Sequence, residues 1–223
     1  MKRIKFILLS ILVLCIIFFL YKSLAKYFHE ETILKQVISR LEADSRIAEV
    51  LVTGVNYDEI TKNNYTTIKF LEYDVKGRPL VPKYFTFAGN IIQFQSLVIR
   101  FDDIYVRKKD KFRGKSAYIF WKVFMLDGKN TQEYEINPIN QIPQGYKLEG
   151  LNDPFEVKLW KNFWEYALNP DKAKHMGIKN AQIEAPGTMF IPGMLYTLKI
   201  EHDGGIRIDA SVLPPIIRGE RIP

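Results

Sequence analysis

Cysteine is almost absent from this chain: its 223 residues hold one, Cys15, inside an apolar run near the amino terminus. Everything beyond that run lacks thiols, which excludes disulfide staples, cysteine-ligated metals and thiol catalysis there. The remaining ~200 residues must be held by a hydrophobic core, which a chain of that length can supply. Leu14 is too large for the small residue a lipoprotein cleavage site needs before its cysteine, so Cys15 reads as a membrane-buried thiol. Histidine is nearly as scarce, at His29, His175 and His202. His29-Glu30-Glu31-Thr32-Ile33 begins like a zinc-protease helix but has no second histidine four residues on, and one ligand makes no site. His175 fits a helix C-terminus and His202-Asp203 a tight turn. There is no Gly-x-Ser-x-Gly elbow, no internal repeat and no low-complexity linker. Gly114-Lys115-Ser116 echoes the end of a phosphate-binding loop, yet position 109 is lysine where that loop needs glycine, and Ser116 opens a strand rather than a helix. No cofactor or metal is expected.

What is present begins at once. Phe6 to Tyr21, FILLSILVLCIIFFLY, carries no charge and no strong helix breaker, and Lys2, Arg3 and Lys5 precede it. As a helix it spans ~24 Å, close to the ~30 Å hydrocarbon core once Lys5 and Lys22 snorkel and Leu24 and Ala25 extend it. The expectation is a cytoplasmic tail at 1–5, a transmembrane helix at 6–21 and export of the rest, with lysine and arginine retained inside. Ser23-Leu24-Ala25 also fits a signal-peptidase site, so secretion after cleavage at Ala25 is the alternative. The expected location is the cell inner (plasma) membrane, since a disulfide-free exported domain suits a bacterial periplasm better than an animal cell surface. Nucleic acid is a poor partner for such a domain, and the net charge of +7 is not read that way. Asn64-Tyr65-Thr66 is a glycosylation sequon that matters only in a eukaryotic host.

From Lys22 to Ile47 the apolar residues keep helical spacing, which predicts a helical stalk at 22–47. Leu24, Tyr27, Glu31, Leu34, Ile38 and Leu41 alternate three and four residues apart, so the stalk either forms a homodimer seam or packs its apolar face on the following domain. After Glu49 the period changes to two. Strands are expected at Glu49 to Asn56, Tyr65 to Asp74, Lys83 to Ala88, Ile91 to Val106 with a bulge near Ser96 or Asp102-Asp103, and Ala117 to Leu126 as a central strand. In that strand Ile119, Trp121 and Val123 are placed on one face and Phe120, Phe124 and Leu126 on the other. Asp127-Gly128 turns into Gln132 to Ile136. A helical insertion at 152–176 starts with Asp153 as N-cap, Pro154 as first helical residue and Glu156 as the return carboxylate of a capping box. Its stripe includes Trp160, Phe163 and Trp164, read as core. After Ile178 to Ala185 and a constrained loop at 186–193, the hairpin Leu195 to His202 and Ile206 to Val212 closes the domain. The fold class is α+β: an N-terminal transmembrane helix and stalk, then a mainly antiparallel β sandwich or barrel over 48–223.

One surface feature stands out, the basic run Arg107, Lys108, Lys109, Lys111, Arg113 and Lys115 with Phe112 among them. It reads as a contact for anionic lipid or an acidic envelope polymer, or as a solvated loop between strands. Asp102 and Asp103 with Glu72 or Asp74 would supply the carboxylates of a glycosidase, but neighbours in a strand point to opposite faces. Gln93 and Gln95 share a face with Ile91 and Leu97 and either line a cavity or mark a solvent side. The expected function is non-catalytic binding or assembly of an envelope partner. The alternatives are a carbohydrate-active envelope hydrolase, or a lipid or small-ligand carrier using the interior around Phe94, Val98 and Phe120.

Overall fold

The computed structural model of the chain describes residues 2–41, 46–101, 116–126, 131–148, 153–175, 178–201 and 205–214. In chain order its elements are α1 (Lys2–Arg40), β1 (Arg46–Asp58), β2 (Asn63–Glu72), β3 (Lys83–Phe87), β4 (Ile91–Phe101), β5 (Ser116–Leu126), β6 (Thr131–Glu135), α2 (Pro154–Leu168), α3 (Pro170–His175), β7 (Ile178–Glu184), β8 (Gly187–Met189), β9 (Met194–Ile200) and β10 (Ile206–Val212). The fold is α+β with two antiparallel sheets. One has the order β10-β9-β1-β2-β3 and the other β6-β5-β4-β7, with β8 also paired to β4.

The sheets face each other over a core that alternation dictates. Ala48, Val50 and Val52 from β1, Ile68 and Phe70 from β2, and Leu198 and Ile200 from β9 point inward from the first sheet. Ile92, Phe94, Val98, Tyr118, Phe120 and Val123 meet them from the second. Phe70 stacks on Phe94 at 5.6 Å and meets Phe120 edge-on at 5.6 Å, so the residues once considered for a carrier cavity fill one another's space. The barrel is not closed. At the β3 and β6 edges the sheets meet through side chains: the Tyr134 hydroxyl donates to Thr86 O at 2.8 Å, Ala88 N donates to Gln132 Oε1 at 2.7 Å, and the Tyr134 ring contacts Phe85 and Phe87.

A second apolar cluster covers the outer face of the second sheet. Leu97, Ala117, Ile119 and Trp121 pack there with Ile33, Val37 and Leu41 from the α1 end and with Trp160, Phe163, Trp164 and Ala167 from α2. The expected stripe on α2 is therefore core. Trp164 also donates from Nε1 to Gln141 O at 2.7 Å. Asp153 caps α2 as read from the sequence, accepting from Phe155 N and Glu156 N. Glu156 departs from the capping-box expectation: its Oε1 accepts from Leu148 N at 3.2 Å, and Oε2 has no partner among the described residues.

Two further expectations need correction. The helix drawn to Ile47 ends at Arg40, and Arg46 and Ile47 already belong to β1. In β5, Gln95 pairs with Lys122 but Ser96 pairs with Phe120, leaving Trp121 as an extra residue. Trp121 consequently faces the helices while Val123 and Met125 face the sandwich with Phe120, and Phe124 and Leu126 point the other way. The sequence reading puts the bulge in β4, near Ser96 or Asp102-Asp103; the pairing does shift between Gln95 and Ser96, but the extra residue belongs to the partner strand β5.

Burial pushes the Glu156 carboxyl above its ordinary range. A fold that favours the protonated acid is stabilised below the unfolded pKa and loses that contribution as pH rises through the raised one. Glu156→Gln is expected to raise the melting temperature by about 2–4 °C near pH 7, with the gain vanishing near pH 4, as paired thermal melts will show.

Candidate functional site

The interior of the first sheet is apolar in the middle and polar at both ends. On β2 the inward row reads Thr66, Ile68, Phe70, Glu72, so one end finishes in a hydroxyl and the other in a carboxylate. At the carboxylate end, Arg46 from β1 is 1% exposed and its Nη2 donates to Glu72 Oε1 at 2.5 Å. The guanidinium lies over the Tyr146 ring at 4.9 Å, and a second nitrogen donates to Gly145 O at 3.5 Å. Gly145 has no room for a side chain, because a Cβ there would overlap the guanidinium. Tyr146 is fixed in turn: its hydroxyl donates to Tyr118 O at 3.1 Å and accepts from Tyr118 N at 3.0 Å, and burial pushes its phenol up. Lys83 donates to Ile136 O, and burial lowers its ammonium while the Glu72 carboxylate opposes that. This end is a closed ion-pair network. It ties β1 and β2 to the 137–148 segment and offers a ligand no entry.

β1 runs from this end to Asp58, about 40 Å away if fully extended. There the β1–β2 hairpin, the β3–β4 turn and the β8–β9 loop surround a concave pocket of about 560 Å³. Val55, Lys62, Asn63, Asn64 and Thr66 come from the hairpin, Ala88, Gly89 and Asn90 from the turn, and Phe190 and Pro192 from the loop. The walls are held in place. Asp58 Oδ1 accepts from Ile60 N at 2.8 Å, which holds its carboxyl below the usual range and shapes the hairpin tip, where Lys62 sits at φ +56°. Phe190 N donates to Asn90 O at 2.8 Å, joining loop to turn. The Tyr196 hydroxyl donates to Met189 O at 3.0 Å and accepts from Ile191 N at 2.9 Å, and its ring lies 4.4 Å from that of Phe190. Gly89, at φ +154°, also has Met125 Sδ 2.8 Å from where a Cβ would stand.

Thr66 is 2% exposed, lines this pocket and makes no side-chain hydrogen bond among the described residues. The amides of Asn63, Asn64 and Asn90 are likewise uncommitted to the described chain. The sequon Asn64-Tyr65-Thr66 thus falls in a strand whose threonine points inward. A smaller recess of about 230 Å³ near the α1 end is lined by Arg40, Asp74, Arg78 and Lys147, and three of these charges are engaged: Arg40 donates to the carbonyls of Tyr146 and Lys147, and Arg78 Nη2 holds Asp74 Oδ2 at 2.6 Å.

Of the residues singled out in the sequence, Arg107, Lys108, Lys109, Lys111, Arg113 and Lys115 lie outside the described residues, as do Asp102, Asp103, His202 and Asp203. Glu72 and Asp74 are bound to Arg46 and Arg78. Gln93 and Gln95 sit half-exposed on the sheet face that carries Leu97, away from the inter-sheet core, with Gly187 packed on Gln93. His29 contacts Asp153 Oδ2 through Nε2 at 2.5 Å; this contact and the N–H groups at the α2 start hold the Asp153 carboxyl low. No group of three or more potential metal ligands occurs among the described residues.

Both polar ends were missed. A signal for the first was present: Arg46, Glu72 and Lys83 each end a strand in phase with its apolar row, as in Arg46-x-Ala48-x-Val50 and Lys83-x-Phe85-x-Phe87. The pocket had none, because its residues come from three separate turns. Comparison with protein-family models, with curated proteins and with solved structures finds no match.

Proposed function

We propose that the chain is a single-pass cell-envelope protein whose β domain binds an envelope partner without catalysing a reaction. One observation carries this reading: α1 is a single 39-residue helix whose large apolar side chains are exposed from Phe6 to Phe28 and buried on the domain from Ile33 to Leu41. A contiguous apolar surface of that size is costly in water and is what a bilayer core receives. The helix is long and apolar enough to cross a membrane, with a mean hydropathy of 2.0 over its best window. Lys2, Arg3 and Lys5 favour a cytoplasmic amino terminus. Ser23-Leu24-Ala25 lies inside the helix, which supports an intact anchor over cleavage.

Binding rather than catalysis is supported by the way the acids are used: Glu72, Asp74 and Asp153 are each committed to a structural partner. Of the stripe that could form a homodimer seam, Ile38 and Leu41 are buried within the chain, while Leu24 and Tyr27 stay exposed on the apolar part of the helix. Docking the anchor to the domain fixes the domain's orientation, which suits presentation of a binding surface.

Alkaline carbonate extraction with amino-terminal sequencing tests the topology. The expected result is an intact amino terminus in the membrane fraction, with the domain digested by protease added from outside. A soluble chain beginning at Lys26 overturns the anchor, and turnover of glycan, peptide or ester by the purified chain, lost on replacing a carboxylate, overturns the non-catalytic role.

A further inference from the structure

The hairpin end of the sandwich has the composition of a ligand site. Its volume of about 560 Å³ lies within the ~300–1,000 Å³ of small-molecule pockets. Asn63, Asn64, Asn90 and Thr66 line it, and none of their side chains has a hydrogen-bond partner among the described residues. Thr66 is the telling member: the residue is 2% exposed, and its hydroxyl, unpartnered in the described chain, opens to the pocket instead of being sealed in the core. Val55, Ala88, Phe190 and Pro192 supply apolar surface between these groups. No carboxylate or histidine is among the described residues that line the pocket, and Lys62 is the one cation among them.

We propose that this pocket binds a saccharide bearing N-acetyl groups. An asparagine amide offers an acceptor and two donors in one plane, which matches a vicinal hydroxyl pair or an acetamido group, each of which both donates and accepts. The apolar wall takes the acetyl methyl or a C–H face of the ring. The described lining residues offer no carboxylate to hold a cationic ligand. An extended peptide is recognised mainly by main-chain pairing along a sheet edge, whereas this pocket is enclosed by turns at the end of the strands. The assignment rests on the reading of the chain as an exported binding protein, and it names the ligand class of that binding.

The test uses the full chain in phosphatidylcholine nanodiscs, since alkyl-glycoside detergents would bring their own sugar. Saturation-transfer NMR is recorded with tri-N-acetylchitotriose, maltotriose and a capped trialanine. The expected result is saturable transfer to the acetyl methyls of chitotriose and little to maltotriose or trialanine. Thr66→Val is expected to weaken binding about fivefold to tenfold, the worth of one hydrogen bond. Its melting temperature should not fall, because removing an unpartnered hydroxyl orphans nothing. Asn64→Ala, at an exposed position, provides a second variant with the same expected direction. The proposal is overturned by no saturable transfer, by equal binding in both variants, or by trialanine competing for the pocket. A membrane-bound chain with an intact amino terminus and no saccharide binding defeats this proposal alone. A soluble chain beginning at Lys26 that still binds chitotriose defeats the anchor and leaves the pocket standing.

Discussion

Arg46→Met is expected to lower the stability of the β domain by about 3–5 kcal/mol, the usual cost of removing one partner from a buried ion pair. Arg46 and the Glu72 side chain are 1% and 7% exposed, so a lone carboxylate at position 72 would be left without water. Lys83 lies within electrostatic reach of Glu72 but is held by Ile136 O, and it compensates only in part. The cost should therefore come from the orphaned acid more than from any net attraction. A double variant separates the two: Arg46→Met with Glu72→Leu is expected to recover most of the loss, since exchanging a buried pair for apolar groups of similar size is often neutral or stabilising. Gly145→Ala should approach the single variant's effect without touching either charge, by displacing the guanidinium. Urea unfolding of the three variants checks this. If Arg46→Met and the double variant have the same midpoint, the buried acid is not the source of the cost.

Val37→Asp is the second large effect, at about 3 kcal/mol or more, because it places a charge where Val37 is 6% exposed in the cluster shared by α1, α2 and the second sheet. Gln36→Asp, one residue away on the exposed face, should change stability by less than about 0.5 kcal/mol. The difference between them measures the docking of α1, not helix propensity, which Gln36→Asp lowers slightly and Val37→Asp hardly changes. Limited proteolysis gives a direct reading: only the Val37 variant should be cut between residues 29 and 41. Equal resistance in both variants would mean that the helix end is not held by the domain.

Local chemistry made much of the fold legible. Asp153-Pro154 announces the start of α2, period-two alternation places β1 to β3, and the Trp160, Phe163 and Trp164 spacing identifies the buried face of a helix. What escaped depends on partners that lie far away in the chain. The end of α1 at Arg40 follows from where β1 finds β9 and β2 to pair with, and Glu156 turns from its own helix start to Leu148 because that amide is brought beside it. Arg46 carried a readable phase, yet nothing local indicates that Tyr146 and Gly145, a hundred residues later, would roof it. The pocket was illegible for the same reason: Thr66, Asn90 and Phe190 become neighbours only after both sheets have formed.

The extra residue at Trp121 has a consequence for how this strand tolerates change. Side-chain facing along a strand is a matter of odd and even count, and Trp121 resets the count, so β5 is two half-strands in opposite phase spliced at one position. Losing Trp121 would remove the interruption, because Phe120, Lys122, Val123, Phe124 and Met125 would then alternate as one regular strand, with Val123 and Met125 still in the sandwich. A residue gained or lost elsewhere in β5 is different: with the phase change still at 121, it would send one end of the strand to the opposite apolar layer. The bulge therefore marks the place in β5 where the chain can shorten without exchanging its two layers.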